Sequence, residues 1–79
     1  MTDDALKFEY DISGENFASA GEATMRIKKE LRSLGFSPTL IRRRSVAMYE
    51  GEINMVIHAN GGVATVLVYP DAIEIILED

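Results

Sequence analysis

Residues 37–62 read SPTLIRRRSVAMYEGEINMVIHANGG, and this stretch decides the fold. Ser37 can cap a helix, and Pro38 suits the first turn because the N–H that proline lacks would have no partner there. Apolar residues then recur at spacings of three and four, which is typical of one helix face. That face consists of Val46, Tyr49, Ile53 and Ile57. The pattern predicts one helix from Pro38 to about Ala59, ended by Asn60-Gly61-Gly62.

The preceding residues predict a strand and another helix. Residues 6–12 (LKFEYDI) alternate apolar and charged side chains, which indicates a strand with one solvated face. A helix is predicted from Asn16, its expected N-cap, to Leu34. Gly35 is the expected left-handed residue after it, in a Schellman closure with Phe36. The apolar positions of this helix are Phe17, Ala20, Ile27, Leu31 and Leu34.

The following residues predict a hairpin, from Val63 to Tyr69 and from Ala72 to Asp79, with Pro70-Asp71 as its turn. We therefore predict an α+β two-layer sandwich of order β-α-α-β-β, a single domain over 1–79, with both helices on one face of a three-stranded sheet. The last strand is followed by neither a turn nor a tail, so we expect a truncated unit. We expect Val66, Val68 and Ile76 on the uncovered sheet face.

Composition excludes several classes of protein. The 79 residues carry 13 acidic and 8 basic side chains, a net charge of −5, which argues against general nucleic-acid binding. No apolar run reaches the roughly 18–20 residues of a membrane span. The acidic start, Met1 to Asp4, differs from the positive start of a signal peptide. A cytoplasmic protein without membrane or nucleic-acid partners is expected, and one His with no Cys argues against a transition-metal site.

Three polar residues share one stripe of the long helix: Glu50, Asn54 and His58, at positions i, i+4 and i+8. Successive members rotate by about 40° and rise by about 6 Å. Glu50 can accept a proton, and Asn54 can offer an oxygen to Mg²⁺. His58 can bind a phosphate or cap the following loop. The simpler interpretation is a rim of solvated polar residues.

Residues 49–59, YEGEINMVIHA, resemble the N-box of the histidine-kinase-like (Bergerat-fold) ATPases, which has a Glu, three residues, an Asn, and then an apolar stretch before a His or basic residue. The whole chain resembles the N-terminal portion of an anti-sigma-factor type serine/threonine kinase domain, which implies a truncated Bergerat fold. The resemblance implies that Asn54 binds Mg²⁺ and the cofactor, that Glu50 is the catalytic general base, and that Asp79 contacts adenine. Glu52 lies about 200° from Glu50 around the helix and is a poorer candidate for either role.

The resemblance also implies Mg-ATP as cofactor and phosphoryl transfer to a Ser or Thr of a protein antagonist or sigma-factor-like partner. The glycine loop that follows the Asp in this family, the lid and the later phosphate-binding segment do not occur in the sequence. We therefore expect weak nucleotide binding and no turnover. The alternative is a non-catalytic protein-interaction or self-associating module, a possible homodimer, that uses the uncovered sheet.

Other features have two interpretations each. Arg42-Arg43-Arg44 fans over about 200° of helix, so a solvated face paired with nearby acids competes with a contact to phosphate or an acidic partner. Gly21 and Gly51 lie inside predicted helices, where glycine is unfavourable. Each is explained either by neutral sequence drift or by the close approach of another element. Met25, Met48 and Met55 are predicted to fill core gaps rather than to form a binding surface, which is the alternative.

Overall fold

The chain folds as β-α-α-β-β over residues 5–14, 20–58 and 61–78, which the computed structural model describes. The elements are β1 (Leu6–Ser13), α1 (Glu22–Ser33), α2 (Pro38–His58), β2 (Gly61–Tyr69) and β3 (Ala72–Glu78). The strands form one antiparallel sheet in the order β1-β2-β3. This arrangement confirms the predicted α+β class and element order, including the turn at Pro70-Asp71.

Both helices pack on the same face of the sheet. On β2, Ala64, Val66 and Val68 are buried, and Phe8 of β1 and Ile75 of β3 flank Val66 in the register. The helices complete this core with Ala23, Ile27, Leu31, Ile41, Met48, Met55 and Val56.

The prediction that Val66 and Val68 lie on the uncovered face is therefore wrong. Because β2 is apolar on both faces, alternation alone could not tell its covered face from its open one. The open face consists of the alternate positions, with Val63, Leu67 and Tyr69 half-buried there. Ile76 does lie on the open face, because it pairs with Thr65.

The first helix begins later than predicted. α1 starts at Glu22, and the predicted cap Asn16 and the apolar Phe17 lie outside the described residues. Gly21 is not inside the helix but is its N-terminal flanking residue, with a φ of 97° that favours glycine.

The predicted end of α1 is confirmed. Gly35 has a φ of 91°, and its N–H donates to the carbonyl of Arg32 at 3.1 Å. The N–H of Phe36 donates to the carbonyl of Leu31 at 3.2 Å, which completes the Schellman motif. Leu34 precedes this closure and is exposed rather than part of the apolar face.

The second helix begins as predicted but buries a different face. The Ser37 hydroxyl accepts the N–H of Leu40 at 3.2 Å, so Ser37 is the N-cap. The buried face consists of Ile41, Ser45, Met48, Glu52, Met55 and Val56. The predicted face is wrong, because Val46 and Tyr49 are 54% and 48% exposed, and Ile57 is also exposed. Two polar residues occupy inward positions, so counting apolar residues selected the wrong stripe.

Two smaller predictions also need correction. Gly61 and Gly62 are not only a helix terminator, since they form the first residues of β2 and pair with Ser13 and Ile12 of β1. A side chain at Gly61 would overlap the backbone of Ile12. Met48 and Met55 are buried as predicted, whereas Met25 is exposed.

Candidate functional site on the second helix

The three polar residues predicted as a site lie on the solvent-exposed side of α2. Glu50, Asn54 and His58 are all exposed, and each is one helical turn from the next. Glu50 also lines a groove between α1 and α2. The fourth predicted residue, Asp79, lies outside the described residues. The helix thus brings together an exposed carboxylate, amide and imidazole, all available to a ligand.

The carboxyl end of β3 packs against the same turn of α2. A Cβ added to Gly51 would overlap the Cδ1 atom of Leu77, so the glycine lies directly against this side chain, and any larger residue would require Leu77 to move. The close-approach interpretation of Gly51 is therefore confirmed. Leu77 lies two residues before Asp79 in the sequence. The contact joins this end of the sheet to the Glu50–Asn54 turn.

Glu52, which sequence reasoning set aside, is the most heavily bonded side chain of α2. It is 1% exposed. Its Oε2 accepts the N–H groups of Gly21 at 2.9 Å and Ala23 at 3.2 Å. Its Oε1 accepts the N–H of Thr24 at 3.1 Å and the Thr24 hydroxyl at 2.7 Å. The carboxylate is fully engaged, so it is not positioned to act as a base for a substrate.

These bonds make Glu52 the cap of α1. Among the described residues, no local side chain caps this helix, and its first N–H groups have no other side-chain partner there. A carboxylate is favoured there because the helix dipole places partial positive charge at the N-terminus. The sequence contained a signal for the burial of Glu52, though not for its partners, because the roughly 200° of rotation from Glu50 places Glu52 on the same side of the helix as Met48 and Met55, which are buried.

A cavity of about 390 Å³ adjoins Glu52, between β1 and α1. Its charged lining is mainly acidic and consists of Glu9, Asp11, Glu22, Arg26 and Glu52. Tyr10 also lines it, and burial raises its pKa above 10.0, with a smaller contribution from Glu30 opposed by Arg26. This cavity is distinct from the predicted site, because none of Glu50, Asn54 and His58 lines it, and its acidic lining does not suit a phosphate group.

Among residues 5–14, 20–58 and 61–78, no cluster of three or more His, Asp or Glu is placed to hold a metal ion. Mg²⁺ at Asn54 would not need such a cluster, because this ion commonly keeps several waters and binds substrate phosphates.

Comparisons with protein-family models, with curated proteins and with solved structures found no match. Neither helix of the described chain combines the length and apolar character that crossing a membrane requires.

Proposed function

We propose that this chain supplies the N-box wall of a Mg-ATP site of the histidine-kinase-like, Bergerat-fold type, as in an anti-sigma-factor type serine/threonine kinase domain. The observation that carries the proposal is the Gly51–Leu77 contact, because it sets the end of β3 beside the exposed Glu50–Asn54 turn. A site of this type needs an acid and an amide on one long helix, next to the strand that leads to Asp79.

Four residues act at the proposed nucleotide site. The amide oxygen of Asn54 coordinates Mg²⁺, and His58 contacts a phosphate. Asp79 binds the adenine amino group. Glu50 accepts the proton of a Ser or Thr hydroxyl on a protein antagonist or sigma-factor-like partner. Mg-ATP, when bound, supplies the phosphoryl group. A cytoplasmic location fits this chemistry.

Binding by these 79 residues is expected to be weak. The sequence has no glycine-rich loop that leads into a helix N-terminus, the arrangement that commonly holds phosphates. The net charge of −5 also opposes a triphosphate. We expect a Kd of about 1 mM or weaker and no phosphoryl transfer.

Titration of the ¹⁵N-labelled chain with a non-hydrolysable Mg-ATP analogue, followed by NMR, tests the proposal. Amide shifts should concentrate at Glu50, Asn54 and His58 and should require Mg²⁺. Asn54→Ala should abolish them, whereas Glu74→Gln, at an exposed position of β3 on the open sheet face, should leave them unchanged. Amide shifts that occur without Mg²⁺, or that are still observed in Asn54→Ala, would contradict the proposal. Micromolar affinity in isothermal titration would show that further loops are not needed for binding.

The open sheet face favours a second candidate function, a self-associating interaction module. No described element covers Val63, Leu67 and Tyr69 of β2 or the adjacent Ile76 of β3, which are only half-buried. Exposed apolar sheet surface commonly marks an interaction site. Light scattering should then show association that rises with concentration and is lost in Leu67→Lys. A monomer at all concentrations would exclude this candidate.

A further inference from the structure

The α1–α2 groove is an apolar surface that the nucleotide proposal does not use, apart from Glu50 at its end. Its volume is about 640 Å³. It is lined by Ala20, Gly21, Thr24, Met25, Lys28, Arg42, Ser45, Val46, Tyr49 and Glu50. Met25 is 62% exposed, and Val46 and Tyr49 are about half exposed. These three large apolar side chains therefore meet solvent in one place, on the side of the helices away from the core.

Cations without acidic partners lie at one end of this groove. Lys28 and Arg42 line it and also line an adjoining cavity of about 290 Å³, together with Arg32. In the described parts of the chain, Lys7–Glu9 is the only ion pair, so none of these three cations is neutralised there. On a protein with a net charge of −5, a cluster of unpaired cations beside exposed apolar groups favours an acidic, amphipathic ligand.

Ser45 adds a polar group without a partner. The residue is 6% exposed and lines the groove, and its hydroxyl has no hydrogen-bond partner among the described residues. Buried hydroxyls are almost always bonded, because leaving one unpaired is unfavourable. A ligand in the groove could supply the missing bond.

We propose that the α1–α2 groove docks an amphipathic helix of a partner protein, with apolar residues on one face and Glu or Asp near its carboxyl end. The apolar face packs on Met25, Val46 and Tyr49, and the acidic residues pair with Lys28 and Arg42. A groove between two helices accepts a third helix through ridge-and-groove packing.

The charges of the groove also set the direction of the docked helix. Arg42 and Glu50 are eight residues apart on α2, about 12 Å along its axis. Cations at one end and a carboxylate at the other complement a helix dipole whose negative end lies at Lys28 and Arg42. Of the residues assigned to the nucleotide site, only Glu50 lines this groove, and neither Asn54 nor His58 takes part, so docking does not depend on nucleotide binding.

Fluorescence anisotropy with three labelled synthetic peptides of about 18 residues tests the docking. The first has a leucine stripe and flanking Glu residues, the second has Lys in place of Glu, and the third has Ser in place of Leu. The first should bind at least about tenfold more tightly than the others. Net charge alone would favour the Lys peptide, so equal or tighter binding of that peptide would overturn the proposal.

A matched pair of double variants locates the contact. Lys28→Glu with Arg42→Glu should weaken binding of the Glu peptide at least about tenfold. Lys29→Glu with Arg43→Glu makes the same charge change at exposed positions outside the groove, and should alter binding by less than about twofold. Equal losses in both pairs would overturn the proposal. Circular dichroism checks folding, and the peptide comparison on the unaltered chain stands even if a variant unfolds.

Two further measurements show where the peptide binds and whether the nucleotide competes with it. Amide shifts caused by the Glu peptide should map to the α1–α2 groove, and shifts on the open face of β2 would overturn the assignment. Saturating Mg-ATP should not displace the peptide. Displacement would assign Lys28 and Arg42 to phosphate binding and overturn the inference.

Discussion

Glu50 and Glu52 differ in position by two residues, and the structure gives them opposite surroundings. Glu50 is exposed at the edge of the α1–α2 groove, whereas Glu52 is 1% exposed and accepts four hydrogen bonds from the start of α1. Both are glutamates on the same helix, separated by about 200° of rotation. The comparison teaches that a carboxylate near a motif is assigned by the helix face it occupies, not by its distance along the sequence.

The two faces of α2 also differ in what they contact. The inner face holds α1 through Glu52 and contacts β3 at Gly51, so it fixes the positions of its neighbours. The outer face presents polar residues that no described element restrains. A binding residue is more accurately positioned when its helix is anchored from behind. The inner face therefore supports whatever the outer face binds.

Replacing Glu52 should give the largest effect. Glu52→Ala leaves three N–H groups and one hydroxyl without their acceptor, and should lower the free energy of unfolding by about 3 kcal/mol or more. That is a large part of the about 4–12 kcal/mol expected for a domain of this size. Urea unfolding followed by circular dichroism measures the change. Glu50→Ala is the matched control and should shift stability by no more than about 0.5 kcal/mol. Equal effects of the two changes would refute the comparison.

Filling Gly51 should give the next largest effect. Gly51→Ala raises helix propensity by about 1 kcal/mol, but the new methyl group must displace the Cδ1 end of the Leu77 side chain, so we expect a net destabilisation of no more than about 1 kcal/mol. Thermal unfolding of Gly51→Ala, Leu77→Ala and the double variant separates the gain in helix propensity from the cost of the overlap with Leu77. In the Leu77→Ala background, the cost of Gly51→Ala should disappear. A stabilising Gly51→Ala in the unaltered chain would show that the Leu77 side chain does not oppose a methyl group at this position.

Two serines of α2 should respond in opposite directions, with the smallest effects. Ser37→Ala removes the cap bond to Leu40 and should lower the free energy of unfolding by about 1 kcal/mol. Ser45→Ala removes a buried hydroxyl that has no partner among the described residues, and should raise the free energy of unfolding by about 0.5–1 kcal/mol. Chemical unfolding of both variants under identical conditions makes the comparison. A loss of stability in Ser45→Ala would show that its hydroxyl has a partner in the folded protein.

Local signals predicted most of the fold correctly. The alternation of residues 6–12, the Ser37-Pro38 helix start and the Gly35 closure each depend on neighbours within a few residues. The predicted buried face was wrong where the local sequence pattern was compatible with burial of either face of an element. β2 is apolar on both sides, and α2 carries an apolar stripe that is exposed beside a mixed stripe that is buried.

The candidate site was predictable only in part. A spacing of four places Glu50 and Asn54 one turn apart in any helix, and both are exposed on α2. The role of Glu52 was not predictable, because its partners Gly21, Ala23 and Thr24 lie about 30 residues earlier in the chain. The cationic end of the α1–α2 groove likewise combines residues of two helices.

The sequence by itself determined the order of the elements, most of their ends, and the alignment of Glu50, Asn54 and His58 on one stripe of a helix, since these follow from short-range hydrogen bonding and helical period. The tertiary structure alone decided which face of each element is buried, that Glu52 caps a distant helix, and that Gly51 lies against the side chain of Leu77. Those outcomes depend on contacts between residues far apart in the chain, and such contacts exist only once the helices have packed on the sheet.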